Sequence, residues 1–573
     1  MILVTLIIEQ TSMQSLLRII RRRWFQVLLC LYVSLTGLGE EKAYDDQASI
    51  GVNQQIQHII ASSELAELRW PDFRDYKTQI TNFYQSTNYA PAWVQGDQPI
   101  ALALSMVELF NNAWKRGLDP EDYDASRWDG RLRALDGTAS RLASFDVALT
   151  VCTMRFISDL RIGRINPRHF KFGLSVEQKK YDLVEFIRNR LLSAADLSAL
   201  LDTVEPSFAG YRRTQAALIR YTELVRKDDG EKLPVPEKAI NIGEPYSGVP
   251  RLIRFLTTVG DLPADAKVSP DSSVYDSSLA DAVKRFQRRH GLSDDGRLGA
   301  ETVKQMNVPL SERVRQLQLA LERWRWLPSE FSSPPIVVNI PDFRLRALDD
   351  KNQIALDMRV VVGKSMRTQT PVFSRDMTYV VLRPYWNVPP SILRGEILPA
   401  IQRDGTYLGR KRYEVTNRAG DVITSGEVSE NVMSDLKAGR LSVRQKPGPA
   451  NALGLVKLMF PNEHNVYLHS TPAPELFSRT RRDFSHGCIR VEKPAELAAW
   501  ALRNNPDWTV DRVRKSMEEG NDNVTVTLKQ PVPVFIVYAT ALAYENGEVH
   551  FYHDIYGHDA KLTQALAKGY PYP

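Results

Sequence analysis

Two different hydrophobic patterns divide the chain. From about Gln54 to Val225, apolar residues recur at helical spacing, as in the run from Leu102 to Trp114. A second helical run extends from Phe145 to Leu160. Beyond Pro335, short runs rich in β-branched residues replace this pattern and predict strands. The clearest predicted strands are Ile336–Ile340, Arg344–Leu348, Met358–Val362, Tyr379–Leu382 and Phe535–Tyr538.

The middle of the chain predicts a linker followed by a small helical unit. Lys227–Gly248 is charged and contains three prolines, which is typical of a linker. Within Ser269–Asn307, apolar residues mark one face of a helix ending near Gly291, and a second helix begins at Thr302. The apolar residues of the first helix are Leu279, Ala282, Val283 and Phe286.

Strand periodicity fades between Pro384 and Lys446. Ile392–Gln402 is amphipathic and Val432–Gly439 is a further predicted helix, so this stretch lacks the strand pattern around it. Long excursions from a compact domain are often functional, and we therefore expect a lid here. A multidomain α+β fold is predicted overall. Its segments are a signal peptide or signal anchor (1–44), a helical scaffold (45–245), a small helical domain (246–308), a linker helix (309–333), a β-rich domain (334–515, lid at about 385–446) and a C-terminal extension (516–573).

Charge and length restrict the function classes. A chain of 573 residues allows three or four domains, with 43% hydrophobic residues and 25% charged residues as in ordinary globular proteins. The net charge of +6 is mild for this length. It suits an anionic membrane surface or a carboxylate-rich polymer and does not indicate a nucleic-acid partner.

The N-terminus carries an export pattern. Arg18, Arg21, Arg22 and Arg23 precede an apolar run, Trp24–Leu38, which is short for a membrane span. We expect either a cleaved export signal or an uncleaved anchor at the inner membrane, with Met13 as an alternative start.

Three cysteines are too few for a disulfide scaffold. Cys30 lies in the apolar signal run, and Cys152 lies in the second helical run, where we expect it to be buried. Cys488 remains, in the sequence Ser485-His486-Gly487-Cys488-Ile489-Arg490, with His469 19 residues upstream. A thiol is mostly protonated at neutral pH, so a nearby base or cation has to generate the thiolate. The backbone amides around Gly487 and Cys488 suit an oxyanion site.

This motif resembles that of the L,D-transpeptidases, the YkuD-like cysteine enzymes of peptidoglycan. Fifteen residues separate His469 from Ser485, as in the family's His…Ser/Thr-His-Gly-Cys signature. Arg490 stands where many members have asparagine, and this departure resembles the long Gram-negative members. The segment from Ala282 to Thr302 similarly resembles the peptidoglycan-binding type 1 domain. The long members carry a helical scaffold ahead of the catalytic domain and a capping subdomain where we expect the lid.

The resemblance implies roles for individual residues. Cys488 is the expected nucleophile, His469 the base, the carbonyl of Ser470 the acceptor that orients His469, and Gly487 part of the oxyanion site. His486, Arg490, Ser485, Tyr467 and Trp386 are the expected substrate-binding residues. Arg490 would bind a stem carboxylate, or else pair with Asp483 or Glu492. Relatives are acylated by carbapenems, which mimic the donor peptide bond.

The implied reaction joins peptidoglycan stem peptides by a 3→3 cross-link, from a tetrapeptide donor to a diamino-acid acceptor, in the periplasm. Two alternatives remain open at this point: an L,D-carboxypeptidase or other hydrolase of the same fold, and a wall-binding scaffold with little activity. No cofactor is expected. Nine histidines are scattered without metal-ligand spacing, so no metal site is expected either.

Overall fold

The computed structural model describes residues 41–570, apart from Lys267, Pro270 and Arg367. The predicted signal, with Trp24–Leu38 and Cys30, lies outside the described residues. In the part that is described, no helix is both long enough and apolar enough to cross a bilayer. The chain forms two compact units, of which the first comprises the described residues of 1–112 together with 119–157 and 182–197.

The N-terminal part is helical, as the apolar periodicity predicts. Cys152 is fully buried in the long helix Ala139–Ile162, which confirms the expectation for this residue. In the first unit, aromatic rings pack around Phe110 and Phe156. The helices between residues 41 and 227 are Glu41–Ser62, Arg74–Tyr76, Lys77–Gln85, Ala101–Asn111, Ala113–Arg116, Pro120–Tyr123, Ala125–Arg127, Trp128–Arg133, Ala139–Ile162, Pro167–Phe170, Glu177–Lys179, Leu183–Phe186, Ile187–Leu191, Leu197–Val204 and Ala209–Lys227. Two short strands, β1 (Val94–Gln95) and β2 (Gln98–Pro99), form a hairpin.

The small helical domain belongs to the second unit, which also includes residues 113–118, 158–181 and 198–248. Three helices, Val249–Val259, Ser277–Arg289 and Ala300–Met306, enclose a core that includes Leu252, Leu256, Val283, Phe286 and Val303. The sequence pattern predicts the second and third helices but not the first. Asp276 caps the second helix by accepting from the amide of Leu279 at 2.9 Å. The helix Leu310–Trp324 follows, close to the predicted linker helix.

A closed barrel of mixed strands forms the C-terminal part. Its strands run in the order β5-β14-β12-β11-β6-β15-β3-β4, and β4 pairs again with β5, while β13 adds to the end of β5. Alternate residues of these strands fill one apolar core. The strands are β3 (Ile336–Asn339), β4 (Arg344–Leu348), β5 (Ile354–Gly363), β6 (Phe373–Leu382), β11 (Val456–Met459), β12 (Leu468–His469), β13 (Asp483–Ser485), β14 (Ile489–Val491) and β15 (Val524–Val537).

Strand β15 lies inside the barrel, between β6 and β3. The barrel therefore continues past residue 515, where the sequence pattern predicts a C-terminal extension. The start of this strand, Val524–Leu528, alternates apolar and polar residues, a strand pattern that the predicted extension from residue 516 did not take into account. A hairpin of β16 (Ala541–Ala543) and β17 (Val549–Phe551) follows. The helices around and after the last strands are Pro474–Ser478, Pro494–Ala501, Val510–Glu518 and His558–Leu566.

The predicted lid is a module with its own sheet and core. Four antiparallel strands run in the order β7-β10-β8-β9, in a stretch where the sequence shows no strand pattern. These strands are only two to four residues long, too short for a clear alternating pattern. Helical segments pack over them, around a core that includes Leu408 and Val415. The elements are β7 (Trp386–Asn387), Pro390–Ile392, Leu393–Ile397, Leu398–Arg403, Tyr407–Arg410, β8 (Tyr413–Thr416), β9 (Val422–Thr424), Glu430–Lys437 and β10 (Ser442–Gln445).

Candidate active site

Parallel pairing of two short strands brings the cysteine motif beside His469. In the β12–β14 ladder, Leu468 lies opposite Ile489 and His469 lies opposite Arg490. Cys488 immediately precedes β14, at the end of the loop that follows β13. Residues 19 positions apart in sequence thus become neighbours at one edge of the ladder.

His469 is held as a neutral base. Its Nδ1 lies 2.5 Å from the carbonyl oxygen of Ser470, the contact that the family resemblance implies. A carbonyl only accepts, so Nδ1 carries the proton and Nε2 keeps its lone pair. Burial, with the nearby charge of Arg490, lowers the pKa of His469 to about 3. The imidazole is therefore neutral, and able to take a proton, at any pH above that value.

The thiol of Cys488 is half-buried and protonated at rest. Burial raises the pKa of this thiol, and hydrogen bonding with Tyr467 and the charges of Lys457 and Arg490 only partly oppose it. Its Sγ lies 3.6 Å from the carbonyl oxygen of Asn465, towards which the thiol proton points. Within residues 41–570 as described, no hydrogen bond joins Sγ to His469. The thiol has to turn away from Asn465 before His469 takes its proton.

The loop before Cys488 is held by its own serine. Ser485 Oγ donates to the carbonyl oxygen of Cys488 at 2.6 Å and accepts from the amide of Gly487 at 3.1 Å. Gly487 adopts φ +115°, which favours glycine. The Gly487 amide is thus already engaged, whereas the Cys488 amide has no acceptor in the described structure. The Gly487 amide and the Ser485 hydroxyl therefore hold the loop, and the predicted roles of Gly487 and Ser485 stay predictions.

Tyr467 and Trp386, two predicted pocket residues, lie together beside Cys488. Burial, followed by the charge of Cys488, raises the pKa of the Tyr467 phenol, and a hydrogen bond with Trp386 opposes this rise. The Tyr467 ring also lies edge-on to His469, with 5.7 Å between ring centroids. Since Trp386 belongs to β7, the inserted module supplies one wall of the site.

Three models of known protein families match separate segments of the chain. A model described as the L,D-transpeptidase catalytic domain, YkuD, matches residues 334–534. The chain contains a YkuD catalytic domain. A model described as "Putative peptidoglycan binding domain" matches residues 247–306, and one described as "Scaffold domain" matches residues 78–218.

A Haemophilus influenzae protein described as "Putative L,D-transpeptidase" is 30% identical to the chain over 299 residues. The match covers 51% of this chain and 58% of that protein. Two crystal structures of L,D-transpeptidases, from Stackebrandtia nassauensis and Xylanimonas cellulosilytica, are each 13% identical and each match 53% of the chain. The matches cover 97% and 100% of those chains, with TM-scores of 0.21 and 0.15, values too low to bear on fold or activity.

The inserted module also contacts the cysteine motif of the YkuD domain. His486 Nε2 lies 2.7 Å from Glu396 Oε1, and Glu396 belongs to the segment Leu393–Ile397 of the module. Both side chains are partly exposed. His486, predicted to bind substrate, thus contacts the inserted module two residues before Cys488. Neither of the acidic partners considered for Arg490 pairs with it, because Asp483 binds Arg481 and Glu492 binds Arg359.

The hydroxyl groups of Thr370 and Tyr556 support the loop before Cys488 from the other side. Thr370 Oγ1 donates to the carbonyl oxygen of Gly487 at 2.8 Å and accepts from the amide of Gly363 at 2.9 Å. Tyr556, beyond the matched range of the YkuD domain, donates to the carbonyl oxygen of Gly363 at 2.5 Å and accepts from the amide of Thr370 at 3.2 Å. A side chain at Gly363 would meet the carbonyl of Thr368 at 1.9 Å, so only glycine fits this turn.

We expect Thr370→Val to slow acylation of Cys488 by about 10- to 100-fold, because a small shift of a catalytic loop costs much of the rate. Valine has nearly the same shape but leaves the Gly363 amide and the Gly487 carbonyl unpaired. Thr370→Ser keeps the hydroxyl and should recover most of the rate. Stopped-flow acylation, with thermal unfolding as the control for stability, measures both variants. Equal rates for the valine and serine variants would contradict this role.

Sequence reasoning missed three of these supporting residues. Thr370 and Tyr556 act only through backbone groups that are distant in sequence, so no local signal marks them. Glu396 lies on an amphipathic segment where a polar residue is expected in any case. No group of three or more His, Cys, Asp or Glu side chains suited to a metal ion occurs among the described residues.

Proposed function

We propose that this protein is a peptidoglycan L,D-transpeptidase that forms 3→3 cross-links between stem peptides through a thioester on Cys488. The observation that supports this most strongly is the placement of a neutral His469 on β12 next to β14, the strand that a protonated Cys488 immediately precedes, in a YkuD domain. A neutral base beside a neutral thiol is the resting state that general-base activation requires.

In acylation, Sγ of Cys488 forms a bond to the carbonyl carbon of the third donor residue. His469 Nε2 takes the thiol proton and then gives it to the nitrogen of the departing D-amino acid as the C–N bond breaks. The tetrahedral oxyanion accepts a hydrogen bond from the Cys488 amide. Tyr467 and Trp386 form the wall beside the nucleophile.

In the second half-reaction, the side-chain amine of a second stem attacks the thioester. The new C–N bond forms, the C–S bond breaks, and the amine proton returns through His469 to the sulfur. Water in place of the amine gives a hydrolysed stem, the L,D-carboxypeptidase outcome. The two outcomes share one acyl-enzyme and differ only in the acceptor.

The remaining segments fit an enzyme that acts on the wall outside the cytoplasm. The helical domain matched at residues 247–306 is proposed to hold peptidoglycan near the site. Periplasmic location, with export or inner-membrane anchoring by Trp24–Leu38, follows from the proposed substrate. The domain limits given from the sequence stay predictions.

The test is incubation with purified tetrapeptide muropeptides, with and without an acceptor stem, followed by mass spectrometry of the products. We expect 3→3-linked dimers together with release of the terminal D-amino acid. Tripeptide alone, even with excess acceptor, would instead identify a hydrolase. An unchanged donor would contradict the proposed activity.

Removal of the inserted module should shift the product towards hydrolysis. Asn387 of β7 pairs with Arg444 of β10, so a two-residue Asn-Gly turn can replace residues 388–443 and close that hairpin. The deletion removes the module's own core as one piece. Without the module, water reaches the thioester more freely, and the ratio of tripeptide to dimer should rise about tenfold. Product analysis measures the ratio; an unchanged ratio and rate would show that the module is not a lid.

A further inference from the structure

Two cations flank His469 across neighbouring strands. In the β11–β12 ladder Lys457 lies opposite His469, and in the β12–β14 ladder His469 lies opposite Arg490. Residues in register share one face of a sheet, so the three side chains form a single row, with neighbouring strands about 4.8 Å apart. The base of the proposed reaction thus stands between a lysine and an arginine.

The lysine points towards the nucleophile. Its Nζ lies 4.1 Å from the centroid of the Tyr467 ring, whose phenol is hydrogen-bonded with Cys488. The charges of both Lys457 and Arg490 act on Cys488 and on His469. The row therefore belongs to the same pocket as the thiol.

Neither cation makes an ion pair in the part of the chain that the structure describes, and the carboxylate of Glu475 acts on Arg490 only from beyond ion-pair distance. Lys457 makes no ion pair there, and the buried Nε of Arg490 lacks any hydrogen-bond acceptor. Burial lowers the pKa of both groups, which reflects their loss of solvent. Arg481, nine residues before Arg490, and Arg359, on the neighbouring strand β5, are by contrast paired with carboxylates.

An unpaired charge is costly to remove from water. Two such charges on either side of one base create a strongly positive pocket that a substrate anion can neutralise. The position of that anion follows from the chemistry of His469. Its Nε2 protonates the departing nitrogen, and in an amino acid the carboxylate carbon is two bonds, about 2.5 Å, from that nitrogen. The long side chains of Lys457 and Arg490, on the strands to either side of His469, can reach a carboxylate at that position.

We propose that Lys457 and Arg490 form a carboxylate-binding cradle for the free α-carboxylate of the leaving D-amino acid. This inference rests on the proposed function and adds its substrate specificity. The site distinguishes donor peptides by whether the last residue carries a free carboxylate. A donor whose last residue carries a free carboxylate neutralises the row and places its amine at His469. A donor that continues beyond that residue, or ends in an amide, leaves both cations unpaired.

The first experiment compares a tetrapeptide donor with its C-terminal amide. The wild-type protein should release the acid leaving group at least tenfold faster, and Lys457→Met and Arg490→Met should lose most of that preference by slowing the acid only. Lys457→Arg should retain it. Lys529→Met, which removes an exposed lysine of β15, is the matched control and should behave as wild type. Equal use of acid and amide by the wild-type protein would overturn the cradle, and this comparison needs no variant.

The second experiment does not depend on transpeptidation. The alkylation rates of Cys488 by iodoacetate and by neutral iodoacetamide are measured by peptide mapping, and their ratio reports the local positive charge. Lys457→Met should lower the ratio about tenfold through the lost charge. If Lys457→Met instead slows alkylation by both reagents equally and moves the pH profile of alkylation upward, the cations stabilise the Cys488 thiolate. That result would exclude the carboxylate-binding cradle. If the ratio falls but no donor is turned over, the anion site stands and the proposed function fails.

Discussion

Cys488→Ala should abolish acylation by donor peptide and by carbapenems. The loss should be on the order of 10⁴-fold or more, because no other group can form the thioester. In the structure the sulfur lies beside the Tyr467 phenol and is influenced by the charges of Lys457 and Arg490. Intact-protein mass spectrometry after incubation with a carbapenem measures the adduct: wild type gains the mass of the drug and the variant gains none.

Cys152→Ala is the matched control. Cys152 is fully buried, and burial raises the pKa of its thiol, so it should not react. The variant should acylate as wild type does, with a modest loss of stability from a small core cavity. Peptide mapping separates Cys488 from Cys152 and Cys30. An adduct on Cys152, or full acylation of Cys488→Ala, would contradict the mechanism.

His469→Ala should slow acylation at neutral pH by about 10²- to 10⁴-fold, the usual contribution of a general base. Because the pKa of the Cys488 thiol is raised, little thiolate forms without His469. The variant should partly recover at high pH, where the thiol ionises unaided. Rate against pH, measured with a small neutral donor, follows this recovery.

A second prediction concerns how kcat/KM of the wild-type protein depends on pH. The lowered pKa of His469, about 3, means that the proton-accepting form persists as the pH falls to that value. The acid limb of kcat/KM for the free enzyme should therefore lie near pH 3 to 4 and not near the ordinary histidine pKa of about 6.5. His464→Ala, which removes an exposed histidine five residues earlier, should leave rate and profile unchanged. An acid limb near 6.5 in the wild-type protein would show that His469 is not the neutral base described.

Part of the architecture was predictable because it depends on local pattern. The helical run at Ala139–Ile162 and the strands β3 and β4 have periodicities that short-range packing enforces. The inserted module was predicted as an insertion, but its sheet was not. Strands of two to four residues carry too little alternation to be recognised, and they form because distant segments supply their partners.

For the site, the sequence by itself determined the chemistry of the motif, since Cys488, Gly487 and the spaced His469 are a local pattern with a chemical meaning. Lys457 also stands out in the sequence, because it is the one charged residue in the apolar run from Leu455 to Phe460. Tertiary structure alone decided which protonation states the groups hold, because burial and strand register set the pKa of His469. Tertiary structure also decided that Thr370, Tyr556 and Glu396 support the loop before Cys488. Their hydrogen bonds join residues more than 80 positions apart, and such distant pairs produce no recognisable spacing in the sequence.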